Sequence, residues 1–242
     1  MEKLNDYDSL SGEYQKTFIK PDKQFSILPT ALEIVGDVKD KTILDLGCGS
    51  GFFAVEFANR GAKKVIGIDN SEEQITAAKK QPQDNTLYEC SDIFTDELPK
   101  ADIIFAPHVI NYAEDVSQLT ALVESIFKSL NSDGKFVTVV DLPEDGKNLK
   151  KFGAVKTILG EKKDGAKIKI ELYNQEQLIC TLNAVYFTPQ TLENILKNAG
   201  FIDVAWHKPI ISKDGIDKLG EDFWAGYQDS PELGYISAQK PK

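Results

Sequence analysis

The sequence predicts an α/β fold in which helices cover both faces of a mostly parallel β-sheet. Its clearest sign is Thr42–Leu46, a mostly apolar run that leads directly into Gly47, Gly49 and Gly51. An amphipathic run begins at about Phe52, so this segment is predicted to form a strand, a tight turn and a helix. Apolar strands and amphipathic helices then alternate, an order typical of a parallel sheet covered on both sides.

The individual elements follow from composition and from helix-capping residues. Strands are predicted at residues 42–46, 64–69, 86–90, 101–105, 135–141, 201–208 and 234–240. Helices are expected to begin at about Phe52, Asn70, Asp115 and Thr188, and the last of them ends at Gly200. These boundaries rest on N-terminal capping side chains and on glycine just past a helix end.

Two segments outside this pattern are predicted within a single domain that spans residues 1–242. Residues 1–36 are expected to form a helical cover, interrupted by Pro21 and Pro29. Residues 166–173 and 178–187 alternate in polarity around a polar turn, which indicates an inserted antiparallel hairpin. The preceding stretch, 142–165, is rich in lysine, glycine and acids and is expected to be a solvent-exposed excursion.

Composition restricts the class of partner. The net charge is −10 and the pI is about 4.8, so nucleic acid would be repelled at long range. Arg60 is the one arginine among 28 basic residues, which disfavours a substrate held by a bidentate arginine clamp. An acidic N-terminus, the absence of a long apolar run and three scattered cysteines without metal spacing predict a cytoplasmic protein without membrane or metal partners.

Acids lie at the ends of three successive predicted strands, at Asp45, Asp69 and Asp92. Open α/β sheets bind ligands at the carboxyl ends of their strands, so these carboxylates should lie at one site. Asp45 precedes the glycines and would oppose a pyrophosphate but favour a cation. Phe52 occupies the place of the third glycine in the dinucleotide motif. Together these features favour S-adenosylmethionine over NAD, although the spacing of Asp69 suits either ribose.

The run from Asp45 to Gly51, Asp-Leu-Gly-Cys-Gly-Ser-Gly, resembles the first motif of class I S-adenosylmethionine-dependent methyltransferases. The resemblance covers about residues 38–141 and extends more loosely to the C-terminus. It implies a Rossmann-like, seven-stranded sheet whose last two strands, 201–208 and 234–240, form an antiparallel hairpin. It also implies that the insertion at 142–187 forms a lid over the acceptor.

The same resemblance implies a set of cofactor-binding residues. Tyr14, with Tyr7 as the second candidate, would contact the methionyl carboxylate, although both tyrosines fit equally well as residues that dock an N-terminal helix. By position, Asp69 would bind the ribose, and Asp92 and Ile93 the adenine. The full predicted set is Tyr7, Tyr14, Asp45, Gly47, Cys48, Gly49, Asp69, Asn70, Ser71, Ser91, Asp92, Ile93 and Ala106.

The resemblance also implies that the loop after the fourth strand borders the transferred methyl group. His108, Asn111 and Tyr112 are the predicted catalytic residues, and Pro107, His108 and Tyr186 the predicted substrate contacts. His108 would act either as a general base or, as we favour from the sequence, by orienting the acceptor. Tyr112 also fits as a residue that only packs on the next helix.

The predicted activity is methyl transfer to a small molecule, with nitrogen favoured over oxygen or carbon. The opening tyrosines, Asn111-Tyr112-Ala113 and Tyr186 are most similar to the toxoflavin-type N-methyltransferases. Two alternatives stay open at this point. One is an NAD-dependent oxidoreductase, and the other is an S-adenosylmethionine-binding protein without catalysis.

Overall fold

The computed structural model describes residues 5, 8, 20–81, 83–144, 146–229 and 232–242. Its strands are Thr42–Leu46 (β1), Lys64–Asp69 (β2), Thr86–Cys90 (β3), Ala101–Pro107 (β4), Leu130–Asp141 (β5), Ala154–Leu159 (β6), Lys167–Asn174 (β7), Gln177–Val185 (β8), Ile202–His207 (β9) and Leu233–Gln239 (β10). The main sheet has the order β3-β2-β1-β4-β5-β10-β9. Strands β1 to β5 are parallel, and β10 is antiparallel to β5 and β9. The predicted seven-stranded α/β fold, with its antiparallel last pair, is confirmed.

Helices connect the strands as the alternating pattern predicts. They are Leu28–Val35 (α1), Phe52–Asn59 (α2), Glu72–Ala78 (α3), Val116–Ser129 (α4), Pro189–Ala199 (α5), Lys213–Leu219 (α6) and Glu221–Trp224 (α7). Helix α5 illustrates the local signals. The Thr188 side chain accepts a hydrogen bond from the Thr191 N–H (3.2 Å), and Gly200 ends the helix with a φ of 106°.

Two hydrophobic cores cover the two faces of the sheet, and β1 contributes to both. Leu44 and Leu46 pack in one core with α4 and α5, whereas Ile43 packs in the other with α1 and α2. Successive side chains of a strand point to opposite faces, so this alternation requires helices on both sides. On the α2 side, the rings of Phe57 and Phe105 pack edge-on with centroids 5.4 Å apart.

The inserted segment forms a three-stranded antiparallel sheet, β6-β7-β8, where the sequence predicted a hairpin. Strands β7 and β8 are the predicted pair. The prediction that 142–165 is only a solvent-exposed excursion is wrong, because β6 pairs with β7 from Ala154↔Leu172 to Leu159↔Lys167. This strand has six residues between lysine- and glycine-rich stretches, and its pairing with β7 stabilises it. Its function as a substrate lid stays a prediction.

Residues 21–35 of the predicted N-terminal cover are helical. A π-helical turn, Lys23–Ile27, leads into α1, and the Asp22 side chain accepts a hydrogen bond from the Lys23 N–H at 2.7 Å. Tyr7 and Tyr14 lie outside the described residues. Within the described ranges, no helix is long and apolar enough to span a membrane, and no three His, Cys, Asp or Glu side chains are grouped as metal ligands.

Candidate functional site

The glycine loop lies at the carboxyl end of β1, between its parallel neighbours β2 and β4. Gly47, Gly49 and Gly51 have φ angles of 65°, 54° and 87°, in the left-handed region that other residues rarely adopt. A Cβ on Gly47 would lie 2.5 Å from Cγ2 of Val109. A Cβ on Gly51 would lie 2.5 Å from the hydroxyl of Tyr88. The backbone conformation therefore favours glycine at all three positions, and packing also requires it at Gly47 and Gly51.

Asp69 ends β2 and holds the glycine loop through its carboxylate. The Gly49 N–H donates to Oδ2 at 2.9 Å, and the Ser71 N–H donates to Oδ1 at 3.0 Å. Hydrogen bonds from backbone amides to an ionised carboxylate are stronger than those between neutral groups. The two bonds therefore fix the orientation of the Asp69 carboxylate at the edge of the sheet. The structure thus places Asp69 beside the loop, and its contact with a ribose stays a prediction.

Asp45 lies on β1 and is fully buried, with 0% of its surface exposed. Within the described part of the chain, neither carboxylate oxygen has a well-formed hydrogen bond. Burial and the nearby Asp69 carboxylate raise the pKa of Asp45 to about 8, and Lys23 and the Ala54 amide offset only part of that rise. A buried carboxylate without a well-formed partner is costly. A cationic ligand at this edge would compensate it, as the ammonium and sulfonium of S-adenosylmethionine would.

The other residues predicted to bind the cofactor around the loop differ in their burial and hydrogen bonding. Ser71 is 1% exposed. Its hydroxyl accepts a hydrogen bond from the Gln74 N–H (3.2 Å) at the start of α3 and donates one to Asp8 (2.6 Å). The thiol of Cys48 is buried, which raises its pKa well above the usual value. Asn70 is exposed.

Ser91, Asp92 and Ile93 follow β3 in a compact turn. The Ser91 hydroxyl donates to Asp96 at 2.5 Å, and Oδ1 of Asp92 accepts from the Phe94 N–H at 3.0 Å. Ile93 packs in the core with 9% of its surface exposed. These contacts order the turn beside the end of β2, where an adenine would lie in the predicted arrangement.

His108 follows β4 and lies next to a buried carboxylate. Its backbone has a left-handed φ of 58°, and its backbone N–H donates to the carbonyl of Val139 at 2.7 Å. This turn places its ring nitrogen Nδ1 3.3 Å from Oδ2 of Asp141, the last residue of β5. The two parallel strands thus carry a histidine and an aspartate to one point at the edge of the sheet.

Asp141 also forms an ion pair with Lys156 of the inserted strand β6. The Lys156 Nζ lies 2.7 Å from Oδ1 of Asp141 and donates to the carbonyl of Glu232 at 3.0 Å. Burial alone would raise the pKa of Asp141, but the Lys156 ammonium and His108 hold it well below its usual range. Asp141 is therefore ionised, and its two oxygens contact one residue each.

Asn111 fixes the loop after β4 to both sheets. Its side-chain amide donates to the carbonyls of Val185 (2.8 Å) and Asp141 (3.2 Å), and its oxygen accepts from the Asp141 N–H (2.7 Å). The residue is 1% exposed. These bonds favour a structural function for Asn111, and its predicted contact with the acceptor stays a prediction.

The remaining predicted acceptor contacts are distributed around the same loop. Ala106 and Pro107 are buried in β4 opposite Thr138 and Val139 of β5. Tyr112 packs against the inserted sheet, and its contact with the acceptor stays a prediction. Tyr186 is buried in the core of that sheet, where burial raises its pKa.

A cavity of about 50 Å³ lies beside His108 and Tyr112. It is bounded by the π-helical turn, the ends of β4 and β5, and the inserted sheet. Its lining consists of Lys20, Asp22, Lys23, Ile27, His108, Tyr112, Asp141, Ala154, Lys156, Ile170, Leu172, Leu182 and Leu233. Its volume is about a third of the ~150 Å³ apolar cavity that holds a benzene, so it accommodates a group of a few atoms.

Sequence reasoning missed most of the charged lining. Lys156 lies in a stretch that was predicted to be a solvent-exposed excursion, and no motif distinguishes Lys20 and Asp22. Asp141 carried a usable signal, because it ends a parallel strand as Asp69 does. An acid at that position of β5 belongs to the same edge of the sheet.

Comparisons with known proteins bear on this arrangement. The methyltransferase domain family matches residues 37–200. An uncharacterized protein of Haemophilus influenzae is 32% identical over 143 residues, which are 54% of this chain and 55% of that protein. A putative protein N5-glutamine methyltransferase of Methanocaldococcus jannaschii is 30% identical over 141 residues, 55% of this chain and 71% of that protein. This chain thus spans about half the length of the first of these relatives.

Among solved structures, an S-adenosylmethionine-dependent methyltransferase from Mesorhizobium loti has a TM-score of 0.64 at 20% identity. That match covers 93% of this chain and 100% of the other, and at this identity it shows the fold. The family match includes the glycine loop, the strand ends and the whole inserted sheet. The family match favours a methyltransferase over an NAD-dependent oxidoreductase. The chain belongs to the methyltransferase domain family, in agreement with the resemblance of its glycine loop.

Proposed function

We propose that this protein transfers the methyl group of S-adenosylmethionine to a small-molecule acceptor bound beside His108. The observation that carries the proposal is the cavity that His108 shares with the inserted sheet. Strands β7 and β8 contribute Ile170, Leu172 and Leu182 to its lining. A small concave site with apolar walls and a few polar groups is typical of small-molecule binding. In this arrangement the inserted sheet is the substrate lid that the sequence predicted.

The carboxyl edge of the sheet would hold the cofactor. Asp45 would neutralise its cationic groups, Asp69 would accept hydrogen bonds from the ribose, and the turn at Asp92 and Ile93 would bind the adenine. Tyr14 is the proposed contact of the methionyl carboxylate. When bound, S-adenosylmethionine supplies a methyl group already activated by its sulfonium. The protein therefore has to align the acceptor, exclude water and accept a proton where the acceptor carries one.

His108 is the proposed group that accepts this proton. An ionised carboxylate is only a hydrogen-bond acceptor, so Asp141 requires the proton of His108 to be on Nδ1. The other nitrogen, Nε2, then has the lone pair and takes a proton from the acceptor. Asp141 also stabilises the imidazolium that forms. The structure thus shifts our preference from the orienting role towards a general base, and an acceptor with an N–H or O–H to lose.

A protein side chain is the alternative class of acceptor, and one specific observation favours it. The similarity to a putative protein N5-glutamine methyltransferase points to a protein side-chain amide. The small, partly closed cavity favours a free small molecule, as does the resemblance to toxoflavin-type N-methyltransferases. Nucleic acid is disfavoured by the net charge of −10. A non-catalytic S-adenosylmethionine-binding protein is the remaining alternative.

Two measurements test the proposal. Calorimetry should show binding of S-adenosylhomocysteine, with far weaker binding of NADH; preferential binding of NADH would contradict the cofactor assignment. Incubation with S-adenosylmethionine and a panel of small N–H and O–H acceptors should produce S-adenosylhomocysteine. Turnover only with peptides that contain glutamine would favour a protein side chain as the acceptor. Cofactor binding without turnover on any panel would favour the non-catalytic alternative.

A further inference from the structure

The acceptor cavity carries more positive charge than the rest of this acidic protein. Its lining contains Lys20, Lys23 and Lys156 but only two acids, Asp22 and Asp141. The whole chain, in contrast, has a net charge of −10. An excess of lysine inside a small cavity of an acidic protein calls for a specific explanation, because burying an ammonium is costly unless it is paired.

The three lysines are not equivalent. Lys156 is satisfied, with Asp141 at 2.7 Å and the Glu232 carbonyl at 3.0 Å. Lys20 is 8% exposed, and within the described part of the chain its ammonium pairs with Asp22 at 3.6 Å. That distance exceeds the 2.7–3.2 Å of a good N–H···O hydrogen bond. Among the described residues, this buried group with three donors is therefore held by one loose contact.

Gly153 leaves space for the long side chain of Lys20. A Cβ on Gly153, just before β6, would lie 2.6 Å from Cδ of Lys20. The absence of a side chain at Gly153 therefore lets the aliphatic stem of Lys20 pass over the backbone into the cavity. Oδ1 of Asp22, the partner of Lys20, also accepts a hydrogen bond from the Lys23 N–H at 2.7 Å, so this carboxylate is shared between two groups.

Lys23 lies close to Lys20 but is oriented towards the glycine loop. Its ammonium lies 5.1 Å from the ring centroid of Phe52, the first residue of α2. Burial, and next the neighbouring Lys20, lower the pKa of Lys23 to about 7, with Asp22 and Asp45 acting in the opposite direction. The two ammonium groups therefore repel each other. An anion between them would relieve this repulsion.

We propose that Lys20 binds an anionic group, a carboxylate or a phosphoryl group, on the methyl acceptor. This inference rests on the proposed function, because it names the substrate class of the same cavity. A lysine supplies a point charge without bidentate geometry, in agreement with a chain that has one arginine. With its anionic group at Lys20, the acceptor would place its reacting atom near His108, which also lines the cavity.

The test uses protein saturated with S-adenosylhomocysteine and simple probes in place of the acceptor. Acetate and inorganic phosphate represent the two anion types, and acetamide is the neutral counterpart of acetate. Amide NMR spectra should show saturable shifts around Lys20 and Ala154 with at least one anion and none with acetamide. In Lys20→Met the affinity for that anion should fall at least ten-fold.

Matched variants control for trivial effects. Lys213→Met removes a lysine with 89% of its side chain exposed, and should bind the anion as the parent protein does. Because Lys20→Met leaves Asp22 buried without its partner, the double variant Lys20→Met/Asp22→Asn removes both charges. It should fold and still fail to bind the anion.

The remaining outcomes contradict the inference in distinguishable ways. If the anions bind equally well to both Lys20 variants, or do not bind the loaded protein at all, the acceptor is not recognised through Lys20. If Lys20→Met instead weakens S-adenosylhomocysteine ten-fold, this lysine holds the cofactor carboxylate and the inference is wrong. A wild-type protein that binds no S-adenosylhomocysteine contradicts the proposed function itself.

Discussion

The two halves of the site are built in different ways. The cofactor edge comes from consecutive strand ends, and its central residues, Asp45 to Gly51 and Asp69, lie within one strand-turn-helix-strand unit. The acceptor cavity joins five separated parts of the chain: the π-helical turn, the loop after β4, the end of β5, the inserted sheet and the start of β10. Local sequence therefore encodes the first half, whereas tertiary packing creates the second.

This difference implies different sensitivities. A residue of the cofactor edge should affect cofactor affinity without affecting the acceptor, and a residue of the cavity should do the reverse. Substitutions in each half therefore test whether the two functions are separate.

Loss of the His108 ring should have the largest effect. His108→Ala should slow methyl transfer by about 10²- to 10⁴-fold, the usual contribution of general acid–base catalysis, with unchanged affinity for S-adenosylhomocysteine. Single-turnover kinetics and calorimetry measure the two quantities. If His108 only orients the acceptor, His108→Asn should recover much of the rate, because an amide keeps a hydrogen bond.

The other histidine of the chain provides the control. His207 lies on β9, where its Nε2 is 2.8 Å from the hydroxyl of Ser237. His207→Ala should therefore leave the rate unchanged. Parent-like rates in both His108 variants would remove His108 from the site.

Asp69 should show the opposite pattern. Asp69→Ala is expected to weaken cofactor binding by about 10- to 150-fold, which corresponds to about 1.5–3 kcal/mol for hydrogen bonds to a charged group. Because the two carboxylate oxygens also accept from the Gly49 and Ser71 N–H groups, Asp69→Asn, which keeps one of these two acceptors, should disturb the loop less than Asp69→Ala, which keeps neither. Asp217→Asn, an exposed acid paired with Lys213, is the control. Parent-like affinity in both Asp69 variants would disprove the ribose assignment.

The pH dependence of stability should isolate Asp45. Its pKa, raised to about 8 in the folded protein, means that the folded state binds a proton more tightly than the unfolded state. The contribution of Asp45 to the free energy of unfolding therefore falls as pH rises from about 4 to 8. Lys23, with its pKa lowered to about 7, acts in the opposite direction only above pH 7.

Between pH 5 and 7 the slope should thus come from Asp45. Relative to Asp45→Asn, the unliganded parent protein should lose stability by about 1 kcal/mol per pH unit, the order expected when one proton is released. Urea unfolding at a series of pH values gives this difference. Parallel stability curves for parent and variant would show that Asp45 is ionised without a ligand, and would weaken its assignment as the partner of a cation.

The sequence predicts the cofactor edge better than it predicts the acceptor cavity. The seven strands of the main sheet, helices α2 to α5 and the acids at or just after the ends of β1 to β3 were predictable, because local periodicity, capping residues and glycine spacing encode them. Helices α6 and α7 were not predicted. The inserted strand β6 was not, since it is stabilised by pairing with β7 rather than by its own composition. Lys156 was missed for the same reason, because an isolated lysine shows no sign of the ion pair with Asp141 that only the folded insertion creates.

Residues on the boundary between structure and binding are the hardest to assign from sequence, and Ser71 is the best example. Its position after β2 predicts a cofactor contact, yet its buried hydroxyl caps α3 through the Gln74 N–H and donates to Asp8. Ser71→Ala should therefore cost about 1 kcal/mol of stability, the typical value for loss of an N-cap. Denaturant unfolding measures that cost.

The affinity of Ser71→Ala for S-adenosylhomocysteine decides between the two roles. A capping residue should leave it within about two-fold of the parent value, which is less than about 0.5 kcal/mol. The conservative variant Ser71→Thr keeps the hydroxyl and should restore stability, provided that the added methyl group fits the buried position. If Ser71→Ala lowers the affinity for S-adenosylhomocysteine ten-fold while Ser71→Thr keeps the stability of the parent protein, the Ser71 hydroxyl contacts the cofactor. The locally encoded cofactor edge would then include one more contact.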